Sequence, residues 1–229
     1  MSFKRKWPEA VLRGALKLKD AILIRAVQEA KDIKRFDIEC PGFEYKCGQY
    51  VMIAFADKPD EKRAFSVVSK KGDIITLGIK RKGEFTSRLF EAKKGTRLLL
   101  FGPYGKFTLP KEPERIVFIA GGIGITPILS MASSADARNK TCNIFYCAKT
   151  KEEMAFYKEV KALERQHEKV NLRFTKQGDK RISCEDLKRI EGFKDCYFYI
   201  CGPPPMIASL REQLEKSGVN PERIRSERF

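Results

Sequence analysis

The chain has 229 residues, 42% of them hydrophobic and 33% charged, and a formal net charge of +16. That length supports a sizeable core and two modest domains, and that composition excludes a disordered chain. No apolar run approaches the ~20 residues that span a bilayer, which predicts no membrane insertion.

The start, MSFKRKWPEAVLRGALKLKD, is basic without the apolar stretch of a secretory signal. The seven cysteines are an odd number and contain no C-x-x-C, which argues against zinc or a cysteine-ligated iron–sulfur cluster. Reduced thiols in a cytoplasmic protein are expected. Residues 1–110 carry 24 Lys/Arg against 13 Asp/Glu, and the rest 22 against 17, so the positive excess sits in the first half. Such an excess serves solubility or steers an acidic partner. With no RNP-type aromatic motif and no helix-turn-helix pattern beside it, a nucleic-acid partner is not expected.

In chain order, residues 1–20 have no clear period and read as an N-terminal extension. From Ala21 to about residue 110 come six short β-prone runs: AILIRAVQEA, IKRFDIEC, QYVMIAF, RAFSVVS, DIITLGIK and TRLLLF. Turn residues at Pro41-Gly42, Lys58-Pro59-Asp60, Lys71-Gly72-Asp73 and Lys93-Lys94-Gly95 separate them. This spacing predicts a small antiparallel barrel, interrupted by one helix over residues 86–92. After a polar joint at residues 111–114, apolar runs at 116–120, 142–147, 170–174 and 196–200 alternate with helical stretches at 128–137, 152–166, 184–190 and 205–217. That alternation predicts a doubly wound parallel sheet over residues 111–229.

The glycine turn in RIVFIAGGIGITPIL leads from the first strand of this sheet into its first helix. Gly121, Gly122 and Gly124 give a turn with no side chains in the way, and Thr126 before Pro127 reads as an N-cap and first helical residue. Strand, turn and helix N-terminus together suit a pyrophosphate. A tight turn with no ligand has the same pattern, and Pro127 stands where the usual third glycine would be.

In the barrel half, Arg63 and Phe65 fall on one face of a strand and Ser66 follows. A guanidinium suits a phosphate, an aromatic ring a planar ring, and a hydroxyl a ring nitrogen; an exposed arginine beside a core phenylalanine reads the same way. Gly83-Glu84-Phe85-Thr86 opens the short helix, either as a second anion site or as an ordinary cap. His167, the one histidine, lies at the polar end of a helix and is expected on the solvated surface. No hydrolase, metalloprotease or P-loop pattern is present, and no metal site is expected.

Six motifs in order resemble the ferredoxin–NADP reductase superfamily: Arg63-Ala-Phe65-Ser66, Gly83-x-x-Thr86, Gly102-Pro-Tyr-Gly-Lys-Phe107, Gly121-Gly-Ile-Gly-Ile-Thr-Pro127, Cys201-Gly-Pro203 and Glu227-Arg-Phe229. Gly48-Gln49-Tyr50 is a lesser match. The resemblance implies that Arg63 holds a flavin phosphate, with Gly83, Phe85 and Thr86 contributing. Phe65 would lie against the flavin ring, Ser66 near its N5, and Phe229 over its free face. Gly121, Gly122, Gly124 and Thr126 would bind the dinucleotide pyrophosphate. Cys201, Gly202 and Pro203 would line the nicotinamide pocket, and Glu227 would sit near the reacting centre. Ser66, Cys201 and Glu227 are thus the implied catalytic residues.

The cofactors implied are FAD, with FMN as an alternative, and a nicotinamide dinucleotide. Lys176, after the run 170–174, stands where NADP-dependent relatives place a cation, which favours NADP over NAD. Phe65 replaces the usual tyrosine. With no appended ferredoxin domain in the sequence, the acceptor is expected to be a separate acidic carrier such as ferredoxin or flavodoxin. The implied activity passes hydride from NAD(P)H to flavin N5 and then electrons to that carrier. An electron-transfer subunit of a larger redox complex and a diaphorase or flavin reductase are the alternatives. Whether the chain is a monomer or such a subunit stays open.

Overall fold

A computed structural model of the chain describes residues 18–110, 115–167 and 169–228. Residues 1–17, most of the expected extension, lie outside them, as do the joint at 111–114 and Phe229.

The first half is a closed six-stranded barrel of order β1-β2-β5-β4-β3-β6, antiparallel throughout. Its strands are β1 (Leu18–Ala30), β2 (Ile33–Glu39), β3 (Tyr50–Phe55), β4 (Lys58–Lys71), β5 (Ile74–Lys80) and β6 (Arg97–Tyr104). Alternation puts Leu23, Phe36, Ile53, Val67, Leu77 and Leu100 inside. Helix α1 (Glu84–Glu91) closes the barrel with Phe85, Leu89 and Phe90. The expected turn at Lys58-Pro59-Asp60 is instead the start of β4, and the chain reverses at Ala56-Asp57. At the far end of β4 the register shifts between Val67 and Ser69. Val67 stays in the barrel core, whereas Val68 joins Ala30, Ile33 and Phe107 in a core shared with the second half.

The second half is a parallel sheet of order β11-β10-β7-β8-β9. Its strands are β7 (Arg115–Gly121), β8 (Thr141–Ala148), β9 (Lys169–Phe174), β10 (Tyr197–Gly202) and β11 (Ile224–Arg228). Along β7, Ile116, Phe118 and Ala120 face the core shared with the barrel, while Val117 and Ile119 face a second core. Burial on both faces is why that run is unbrokenly apolar. Helix α2 (Ile125–Ala132) packs on the first face with α3 (Ala135–Arg138) and α4 (Tyr157–Ala162). Helices α5 (Cys184–Leu187) and α6 (Pro204–Lys216) pack on the second through Leu187, Leu210 and Leu214.

Several expectations are corrected. The helix expected over 128–137 is two, divided at Ser133-Ser134. That expected over 152–166 is α4 flanked by two 3-10 turns, because Phe156 takes the left-handed conformation at φ 54°. The stretch 184–190 forms a single helical turn. His167 is buried, not solvated: its Nε2 lies 2.7 Å from the carbonyl of Ala132, the last residue of α2. A helix end leaves such carbonyls without intrahelical partners, and the imidazole supplies one. Burial lowers the His167 pKa, and the Ala132 bond opposes that shift. Among the described residues no helix is long and apolar enough to cross a membrane.

Candidate active site

Strand β7 ends at Gly121, and a 3-10 turn, Gly122–Gly124, carries the chain into α2. The turn lies against the exit of β10. A Cβ on Gly124 would come within 2.3 Å of the Cys201 carbonyl oxygen and 2.8 Å of the Gly202 nitrogen, backbone atoms with nowhere to go. Gly121 and Gly202 face each other just behind, and Gly122 sits open at φ +55°. From β7 the sheet grows toward β8 and β9 on one side and β10 and β11 on the other, so this is its topological switch point, where open α/β sheets bind ligands.

Thr126 is not the N-cap. Gly124 holds that position, and the buried Thr126 hydroxyl donates to the Ile123 carbonyl at 3.0 Å. The tight turn starts the helix one residue before the threonine, so its hydroxyl braces the turn from inside. Pro203 is exposed and caps α6, with Pro204 as that helix's first residue.

On the barrel side, β4 carries Arg63, Phe65 and Ser66. The Arg63 guanidinium is exposed, with its carbon 5.8 Å from the Phe85 ring centre. Phe65 stacks on the same ring at 6.1 Å and 26°. Phe85 itself is buried in the barrel core, so only its backbone is offered outward. Gly83 caps α1, and the Thr86 hydroxyl accepts the N–H groups of Lys82 and Gly83 at 2.9 and 3.0 Å. Ser66 is 1% exposed, and its Oγ has no hydrogen-bond partner within the protein. A buried hydroxyl left so is costly, and a polar ligand group would satisfy it.

The register carries this row onward. Ser66 on β4 pairs with Tyr50 on β3, and Tyr50 with Tyr104 on β6, the two tyrosine rings 5.6 Å apart. Gly105 follows at φ +98°, where a Cβ would press on the Tyr50 ring at 3.1 Å and stand 3.9 Å from Glu227 Oε1. Gln49 Nε2 donates to the Gly105 carbonyl at 3.2 Å. Glu227, on edge strand β11, pairs in register with Cys201. The barrel wall, the switch point and strand β11 thus meet in one place. Tyr50, Tyr104 and Gly105 belong to this row, yet sequence reasoning assigned them no role; their signals were the Gly-Gln-Tyr and Gly-Pro-Tyr-Gly patterns.

Glu227 and Cys201 have shifted acidities. Burial pushes the Glu227 carboxyl up to about 7, and its Oε2 has no partner. Burial, reinforced by the Glu227 carboxylate, raises the Cys201 thiol well above its ordinary range. Cys201 is therefore a neutral thiol at pH 7, not a thiolate nucleophile.

Lys176 is exposed just past β9, and its N–H donates to the Lys149 carbonyl at 2.8 Å, which brings the two lysines to one corner of the sheet. Phe229 lies outside the described residues.

The family model of the oxidoreductase NAD-binding domain matches residues 118–212. The probable dihydroorotate dehydrogenase B (NAD(+)) electron transfer subunit of Thermococcus kodakarensis is 31% identical, over 87% of this chain and 80% of that protein. Oxidoreductase NdmD of Pseudomonas putida is 28% identical over 90% of this chain, and the match spans only 36% of that longer protein. Among solved structures, a ferredoxin NADP+ reductase from Neisseria gonorrhoeae with bound FAD and NADP superposes with a TM-score of 0.80, at 22% identity, over 93% of this chain and 98% of that one. The fold likeness and the sequence likeness cover the same two halves, barrel and sheet, and so the chain belongs to the ferredoxin–NADP reductase superfamily.

Proposed function

We propose that this chain binds FAD on the barrel and NADPH at the switch point, and passes electrons on to a separate acidic carrier protein such as ferredoxin or flavodoxin. The observation that carries this reading is Ser66 Oγ, a buried hydroxyl with no protein partner, in the same row as the buried carboxyl of Glu227. Together with the aromatic face of Phe65 and the exposed guanidinium of Arg63, these groups fit a flavin. When bound, that flavin supplies a hydride acceptor able to give electrons up one at a time.

The residues of the chain do the rest. Arg63 would pair with a phosphate of the flavin, and the N-terminus of α1 at Gly83–Thr86 would add its dipole. Phe65 supports the ring face, and Ser66 donates a hydrogen bond to a ring nitrogen. The Gly121–Gly124 turn and the start of α2 at Thr126 hold the pyrophosphate, and Lys176 with Lys149 attracts a 2′-phosphate. Cys201, Gly202 and Pro203 wall the nicotinamide pocket. Glu227, partly protonated near neutral pH, holds or gives up a proton beside the rings without burying a full charge.

Anaerobic absorbance titration of the purified protein with NADPH and with NADH tests the reading. A yellow protein bleached at lower concentration by NADPH is expected. A colourless protein that binds neither added FAD nor FMN would overturn it.

A second reading follows from the relatives that are electron transfer subunits by name: the chain works inside a larger redox assembly. Co-purification with a stable partner from the native source favours it over a diffusing carrier.

A further inference from the structure

We propose that Glu29, Arg35, Phe156 and Glu159 form a clasp that sets the orientation of the dinucleotide-binding sheet on the barrel, with Phe156 and Arg35 as positioning residues. The orientation claim stands on geometry alone. Its consequence for hydride transfer rests on the function proposed above.

Phe156 is a bulky residue in the left-handed region, at φ 54° and ψ 34°, where large side chains are rarely found. Such a conformation persists only where its surroundings over-determine it. Here several of its holders come from the other half of the molecule. Its N–H donates to Glu29 Oε1 of β1 at 3.0 Å. The Arg35 guanidinium of β2 lies over its ring, 5.1 Å from the centre. The ring fills a notch at Gly78 of β5, where a Cβ would come within 2.5 Å of it. Arg35 and Gly78 are paired across β2 and β5, so cation and notch form one receptor.

The charges close around it. Arg35 hydrogen-bonds to Glu159 on α4, and its Nε lies 3.8 Å from Glu29 Oε2. Arg35 and Glu29 are 25% and 15% exposed, so the contact is sheltered from water, unlike an ordinary surface pair. A backbone bond from Lys31 N–H to the Glu152 carbonyl, 2.8 Å, lies alongside. The link to the candidate site is direct. The same Gly78 notch receives the Thr126 methyl group, 2.7 Å from that Cβ position, and Thr126 stands at the start of α2. What seats Phe156 therefore also seats the helix that follows the glycine turn.

The test pairs hydrogen exchange on the unloaded chain with hydride transfer in the flavin-loaded chain. In Arg35→Met, which keeps the apolar stem, amides of residues 33–36 and 154–160 should exchange about tenfold faster. Those of β3 and β10 should keep wild-type rates, which shows that both cores remain folded. Gly78→Ala, which fills the notch, should give the same pattern. Single-turnover reduction by NADPH should slow about tenfold to a hundredfold, with flavin affinity unchanged, as misplacement of reacting groups predicts. Arg35→Lys should recover part of both effects. Unchanged exchange in Arg35→Met and Gly78→Ala would overturn the clasp, and faster exchange with unchanged hydride transfer would overturn its positioning role. If the wild-type chain took up no flavin, the function above would fail while exchange still decided the clasp.

Discussion

Glu227 is a carboxyl made a weak acid by its surroundings, and that has a consequence for stability. Its folded pKa of about 7 lies above the ordinary 4.5, so between those values the folded chain holds a proton that the unfolded chain has released. The contribution of Glu227 to stability is then greatest below the ordinary value and declines as pH rises through about 7. We expect the wild-type urea midpoint, taken relative to that of Glu227→Gln, which cannot ionise, to fall between pH 5 and 8. An identical slope in the variant would mean that Glu227 titrates normally. Cys201 changes little over this range, since burial already holds its thiol neutral.

At the level of elements, the switch point depends on how closely two backbones approach. Gly124→Ala would drive a Cβ to 2.3 Å from the Cys201 carbonyl oxygen, so either the turn or β10 must shift. A loss of about 1–3 kcal/mol in chemical denaturation is expected, the range for overpacking a close-packed contact. Gly83→Ala is the control: its Cβ would meet nothing within 4 Å and its φ is −161°, so stability should hold to within about 0.5 kcal/mol. Equal losses in the two variants would deny the close approach. The same closeness explains why the turn position that faces β10 is a glycine.

Across the whole molecule, the charge of +16 is unevenly placed, with the greater excess in the half that carries the barrel. An acidic carrier of the kind proposed would be steered toward this half by a field that salt screens, with a Debye length of about 8 Å at physiological ionic strength. Raising salt should therefore slow reduction of an acidic carrier protein by about tenfold or more, and leave reduction of an uncharged dye nearly unchanged. Equal salt effects on both acceptors would remove the docking argument and favour a small-molecule acceptor.

Periodicity was enough for the two architectures. An alternating barrel strand and a strand buried on both faces leave different local patterns, and all six barrel strands and the first four sheet strands follow them. The motifs marked the glycine turn and the Arg63–Ser66 strand for the same reason, since tight turns and strand faces are local. Strand β11 escaped because Ile224 is its one buried apolar residue, and its charged neighbours carry no strand pattern until β10 is there to pair with it. His167 looked solvated because its partner, Ala132, is 35 residues away. The left-handed Phe156 has no local signal at all, since Glu29, Arg35 and Gly78 hold it from a distant part of the chain. Contacts between residues far apart in sequence follow from how the halves pack, and that packing sets the acidity of Glu227, the isolation of the Ser66 hydroxyl and the seat of Phe156.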